Sequence, residues 1–154
     1  MAKTFLEFDA GEFFSKINKD FAKRVKKEII PQIVDTIKKG RSPVRGQNFP
    51  SYSDGYTKQI QRGRYSQYGK KTRPVNLTLS GKMLRAFKVR PLLRGGVTIY
   101  NSNRLAKYHN DEGAGRGRVI RKMLPTSGSE KFKTNIQKNI NLQLEKAIAK
   151  QIRK

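Results

Sequence analysis

A chain of 154 residues suits one domain and, at that length, can bury roughly 68–70% of its unfolded surface; with 35% hydrophobic and 30% charged residues the core is thin, and part of the chain is expected to order only against partners. The absence of cysteine excludes disulfides and thiolate metal sites, and no run approaches the ~20 apolar residues that cross a bilayer, so no membrane is expected among the partners. Lys and Arg number 35 against 11 Asp and Glu, a formal charge of +24, which opposes compaction and self-association unless something negative is near. Nucleic acid, a negatively charged protein surface or both are implied, the bland alternative being a solvated basic face.

The opening stretch, MAKTFLEFDAGEFF, lacks the basic and apolar regions of a secretory signal, and the chain reads as soluble and cytosolic. Thr4 to Phe8 reads as a short edge strand or as an arm packing Phe5, Leu6 and Phe8 on a neighbour. Asp9 with Glu12 makes a capping box, so a helix is expected over residues 9–39. Phe14, Ile17, Phe21 and Val25 form its apolar stripe, and Ile33, Val34 and Ile37 continue it. Pro31 removes a backbone donor and clashes with the carbonyl four residues back, which predicts a kink over residues 27–30 or two abutting helices, the second carrying Ile33, Val34 and Ile37. Gly40 ends the run.

Residues 41–75 lose this periodicity. The stretch is too long for an ordinary connection, and loops of this size are usually functional or disordered. Arg41, Arg45, Lys58, Arg62, Arg64, Lys70, Lys71 and Arg73 are spread among Tyr52, Tyr56, Tyr65 and Tyr68, with Asp54 the one acid. Such interleaving suits phosphate contact with base stacking, and equally a protein interface rich in Tyr and Arg. Tyr52, Tyr56, Lys58, Arg62, Arg64, Tyr65, Tyr68, Lys70 and Lys71 are therefore the candidate partner-contacting residues.

The most punctuated segment is 77–125. Ser80 is a candidate N-cap, with Leu79 as a hydrophobic staple and Met83, Leu84 and Phe87 on one face of a short helix. Val89 and Leu92 then read as extended, Arg94-Gly95-Gly96 as a turn, and Val97-Thr98-Ile99-Tyr100 as the returning strand of a hairpin. Asn101-Ser102-Asn103 opens a helical turn over residues 104–110, with Leu105, Ala106 and Tyr108 or His109 available for the inside. The glycines from Gly113 to Gly117 form a basic loop with Arg116 and Arg118, and Val119-Ile120 and Met123-Leu124 are candidates for a third extended segment. Ser127 and Glu130 suggest a second capping box opening a helix over residues 127–153. Its Phe132, Ile136, Ile140, Leu144, Ile148 and Ile152 recur every fourth residue. A spacing of four gains about 40° per step on an α-helix, and the winding stripe suits a helix crossing a sheet.

Catalytic chemistry has little to draw on. His109 has Asp111 and Glu112 beside it but no evident Ser or Thr nucleophile, and too few further ligands for a metal. Its expected place is a half-buried helix end with a satisfied ring nitrogen. Gly63 to Thr72 superficially suggests a phosphate loop, yet it has five residues between its glycines and Lys71 where Ser or Thr is required. Gly113, Gly115 and Gly117 lack the strand-to-helix setting of a dinucleotide fingerprint. No catalytic residue, metal ligand or cofactor is expected.

The order of motifs resembles the phage neck and tail-completion (virion morphogenesis) family. Its carriers are Leu79, Ser80, Gly81, Leu84 and Phe87 at the helix start, the glycine-turn hairpin, and Ala106, His109 and Gly113. Arg121, Leu124 and Pro125 lead into the last helix, and Phe49 to Tyr56 is similar to the family's aromatic, proline-containing segment. The resemblance covers roughly the last two-thirds of the chain. It implies a single α+β domain, 1–154, with a small, mainly antiparallel sheet packed against long N- and C-terminal helices and residues 41–75 as an insertion. It also implies a structural virion protein without enzymatic activity, made in the host cytoplasm: a homo-oligomeric ring joining head to tail, touching adjacent neck, connector and tail proteins. DNA in the ring's channel is a further expected contact. The expectation from a different class is a basic nucleic-acid-binding protein.

Overall fold

A computed structural model describes residues 10–93 and 95–153; Thr4 to Phe8, the Asp9 cap and Arg94 lie outside them. The architecture is α+β. Helix α1 spans Ala10–Arg24, passes through a π turn at Val25–Ile29 and continues as α2 over Ile30–Lys38. The expected break at Pro31 is resolved by widening: the Ile30 N–H donates to the Val25 carbonyl, five residues back, and Pro31 sits in the first turn of α2 where its missing donor is harmless. Lys39 and Gly40 close α2, with Gly40 at φ +75°.

The π turn sets the phase of the core. Ile17, Phe21, Val25, Ile29, Ile33 and Ile37 recur every four residues and all are buried, the last four completely. On an uninterrupted α-helix those 20 residues would sweep the stripe about 200° around the axis. One wide turn takes back about one residue's rotation, roughly 100°, and leaves a stripe about 100° wide, the width that one face can bury.

Strands β1 (Phe87–Pro91) and β2 (Val97–Asn101) pair antiparallel with Val89 opposite Ile99. Phe87, Val89, Val97 and Ile99 join the core on one face, while Lys88, Arg90 and Tyr100 face out. The expected third extended segment is not a strand among the described residues; Val119 forms an isolated bridge with Ala114, and residues 121–124 are held by side chains instead. Asn110 does this, its Oδ1 accepting from the N–H groups of Met123 (2.7 Å) and Leu124 (2.8 Å) while its Nδ2 donates to the Leu124 carbonyl.

Of three helix starts, two differ from expectation and the one at residue 104 matches it. Helix α4, Lys82–Arg85, follows Gly81 at φ +75° without a side-chain cap, so Ser80 does not cap it. Leu77 is the buried residue there and Leu79 is exposed. Helix α5, Arg104–Lys107, is capped by Asn103, whose side chain accepts from the Leu105 N–H, and a π turn follows at Tyr108–Glu112. Of the residues expected inside, Ala106 is buried and Leu105 is exposed. Helix α6 begins at Thr134, not 127. Glu130 instead accepts from the N–H groups of Thr126 and Ser127, closing a tight turn, and residues 131–133 run extended beside 43–45. The bonds are Arg45 N–H to the Lys131 carbonyl and Lys133 N–H to the Pro43 carbonyl, both 2.8 Å.

Helix α6 packs on α1 and its π turn rather than crossing the sheet. Asp20 bonds Lys150 and Gln32 bonds Asn139, so the two helical runs are antiparallel. Asn18 reaches the hairpin instead, donating to the Leu92 carbonyl and accepting from the Gly96 N–H. Asn18 and Asp20 project about 200° apart, which makes α1 the middle layer between hairpin and α6. The four-residue stripe of α6 winds off the core: Ile136 is fully buried, Leu144 is 37% exposed and Ile152 is 70% exposed. The buried line follows 136, 140, 143 and 147, near the true helical period, and so takes in Gln143 and Ala147.

Candidate functional site: the tyrosine-basic insertion

Residues 41–75 contain short helical segments despite their lack of sequence periodicity. Gly40 and Pro74 bring the ends of the insertion together so closely that a Cβ on Gly40 would lie 2.5 Å from that of Pro74. At the base, Ser42, Pro43 and Val44 are fully buried, and the Ser42 hydroxyl donates to the Lys122 carbonyl at 2.6 Å. Further out, Ser53 accepts from the Tyr56 N–H and starts helix α3, Asp54–Gln61, which Ile60 anchors to the interior. A turn through Gly63 leads to a short 3-10 segment, Ser66–Tyr68, and Gly69 in the left-handed conformation ends it.

Four of the candidate residues come together. Tyr52 stacks edge-on against Tyr56 with centroids 5.0 Å apart, and Tyr56 meets Tyr65 at 5.4 Å. The Lys70 ammonium places all three of its donors, on the Tyr52 hydroxyl (2.6 Å), Asn76 Oδ1 (3.1 Å) and the Thr78 carbonyl (2.6 Å). Tyr52 also receives the Arg121 cation over its ring, at 5.5 Å from the centroid. Arg121 is buried and clamps the insertion from the far side of the sequence, donating to the carbonyls of Pro50 (3.1 Å) and Ser51 (2.7 Å).

Among the described residues no carboxylate pairs with these cations. Burial, and then the neighbouring Arg121 charge, push the Lys70 amine down to about 8. Burial is again the first cause at His109, where Arg121 and Lys70 add repulsion and bring the ring to about 4. The expected satisfied ring nitrogen is not present: His109 Nδ1 is buried without a hydrogen-bond partner among the described residues. Tyr52 is raised by burial and then by Tyr56, and Tyr56 by burial and then by Tyr65.

The remaining candidates face solvent. Lys58, Arg62, Arg64, Tyr68 and Lys71 are exposed, with Arg64 lying over the Tyr65 ring at 5.6 Å. None of these four cations forms an ion pair among the described residues, whereas most described acids already hold one. Examples are Asp35 with Lys39, Glu112 with Lys107, and Asp111 and Glu130 with Lys122. Those last contacts leave the carboxylates around His109 facing lysines, and no cluster of three or more potential metal ligands occurs among the described residues. Nor is any helix there long and apolar enough to cross a membrane.

Sequence reasoning missed Arg121 and His109 as parts of this site. Their spacing from Tyr52 and Lys70 carries no local period; the one available signal is that residues 121–124 combine a cation with apolar neighbours just before Pro125. The site thus joins packed tyrosines and a fully hydrogen-bonded Lys70 to an exposed set of Lys58, Arg62, Arg64, Tyr68 and Lys71. No known protein family, characterised protein or solved structure matches the chain.

Proposed function

We propose that the chain is a structural subunit of the phage neck, one of the proteins that close a ring and complete the joining of head to tail, and that the insertion is a docking surface for an adjacent neck or tail protein. The family reading rests on the resemblance in motif order. The docking role is carried by one observation: Tyr52, Tyr56 and Tyr65 pack on one another, edge-on or tilted, with Arg121 over Tyr52 and Arg64 over Tyr65, so that of the insertion's four tyrosines Tyr68 alone is exposed. A platform for single-stranded bases needs free ring faces. A protein-docking surface is enriched in Arg and Tyr, and here Arg62, Arg64 and Tyr68 are exposed beside Lys58 and Lys71. Their counterpart in charge is an acidic surface, because Lys58, Arg62, Arg64 and Lys71 form no ion pair among the described residues.

The variant Lys58→Gln, Arg62→Gln, Arg64→Gln, Lys71→Gln tests this in an in vitro head–tail joining assay. It leaves the Tyr52–Lys70–Arg121 support untouched. Joining should fall at least tenfold while the variant keeps the circular dichroism and melting temperature of the parent. Joining at the parental level would remove the insertion from the interface.

A further inference from the structure

A second cationic surface lies outside the insertion. Between α1 and α6 runs a cleft of ≈ 550 Å³ lined by Arg24, Lys146, Ala149, Lys150 and Arg153. Two of its cations are fixed by a single carboxylate: Asp20 Oδ2 accepts from Arg24 Nε at 2.7 Å and Asp20 Oδ1 from Lys150 Nζ at 2.9 Å. That carboxylate is 13% exposed and has both oxygens occupied. The terminal nitrogens of Arg24 and the remaining donors of Lys150 are left for the cleft. Lys146 and Arg153 are exposed and form no ion pair among the described residues. Four cations therefore line the cleft, two of them bonded to its one partly buried acid. Nearby in sequence, Lys23, Lys26 and Lys27 outnumber Glu28, and Glu145 is the one acid beside them on α6.

We propose that this cleft binds the phosphate backbone of duplex DNA, on a surface separate from the protein-docking insertion. Lys146, Lys150 and Arg153 follow the i, i+4, i+7 spacing of one helix face and span about 10 Å along it. Duplex DNA carries a phosphate every 3.4 Å along each strand, so a row of this length meets more than one. The lining has no aromatic or large apolar anchor of the kind that dominates protein interfaces, whereas a phosphate backbone asks only for placed cations. Cations in the last turns of a helix also offset its dipole. That role does not call for Arg24 from another helix, nor for a partly buried Asp20 that holds both helices' cations in place.

The experiment is a salt titration of binding to a 20-base-pair duplex of arbitrary sequence, by fluorescence anisotropy. Each lost phosphate contact takes about 0.9 from the slope of log K against log salt. Lys146→Gln with Arg153→Gln should lower that slope by about 2. The charge-preserving pair Lys146→Arg with Arg153→Lys should keep it, and the four-residue insertion variant should leave it unchanged. Both cleft residues are exposed, and circular dichroism verifies that the fold is retained. A parental slope in the Gln pair overturns the proposal, as does an equal fall in the insertion variant, which would make the binding a property of overall charge. Polyglutamate is the competitor arm: displacement of the duplex at matched charge concentration would make the cleft a general acidic-polymer site and overturn its assignment to DNA. The joining assay is a separate readout, so failure of either reading leaves the other standing.

Discussion

His109 is the one histidine, and its buried Nδ1 without a partner lies in the field of Arg121 and Lys70. The sign of its linkage follows from that setting. A ring that titrates at about 4 when folded and about 6.5 when unfolded binds fewer protons in the native state between those values, so stability falls as pH drops from 6.5 towards 4. The full window is worth on the order of 3 kcal/mol. Denaturant unfolding at intervals between pH 7 and pH 4 should show that loss, and His109→Phe, which keeps a ring and discards the buried nitrogen, should remove most of it. A histidine resonance titrating near 6.5 in the folded protein would contradict the assignment. The residue is half-buried in a helical turn as expected, and what differs is the ring nitrogen left without a partner. Its neighbours Asp111 and Glu112 suggest a compensated ring, but both turn to lysines, Lys122 and Lys107.

Helix α6 separates pattern from position. The four-residue stripe predicts that Leu144 is as costly to replace as Ile140, yet Leu144 is exposed while Ala147, outside the stripe, is fully buried. Leu144→Asp should therefore change stability by less than about 1 kcal/mol, as most surface substitutions do. Ala147→Asp should cost several, because it buries a carboxylate without a partner. Urea unfolding of the two variants gives the comparison, and equal destabilisation would mean that the stripe, not the helical period, faces α1. The hairpin was legible because its signals are local: Gly95-Gly96 turns the chain, and β-branched residues return it. The insertion was not, since what orders it comes from far along the chain, in Arg121 gripping residues 50 and 51 and Ser42 bonding Lys122. The start of α6 was misplaced for a related reason. Ser127 and Glu130 do make backbone contacts, but the extended pairing of residues 131–133 with 43–45 holds the chain out of a helix until Thr134.

At the scale of the molecule, α1 is the shared wall: Asn18 ties it to the hairpin and Asp20 to α6. The amphipathic run and its break at Pro31 were readable, but the manner of the break was not. Proline chemistry forbids a regular turn without saying whether the chain bends or widens, and here the buried line from Ile17 to Ile37 requires widening. An unusual tolerance to length change follows. Removing one residue from inside a helix ordinarily rotates everything beyond it by about 100° and ruins its packing. Here the π turn already holds one residue more than an α-helix needs, and Lys26, Lys27 and Glu28 within it are exposed. Deleting Lys27 lets the segment close into regular α-helix with Ile33 and Ile37 still inward, provided that Pro31→Ala supplies the donor and relieves the clash. The deletion alone should destabilise by about 3 kcal/mol or more, and the pair should recover most of the parent's melting temperature; no recovery would mean that the wide turn is needed for its own shape. Read this way, the wide turn is a spare link in the chain, and the fold can lose it only together with the proline that keeps it open.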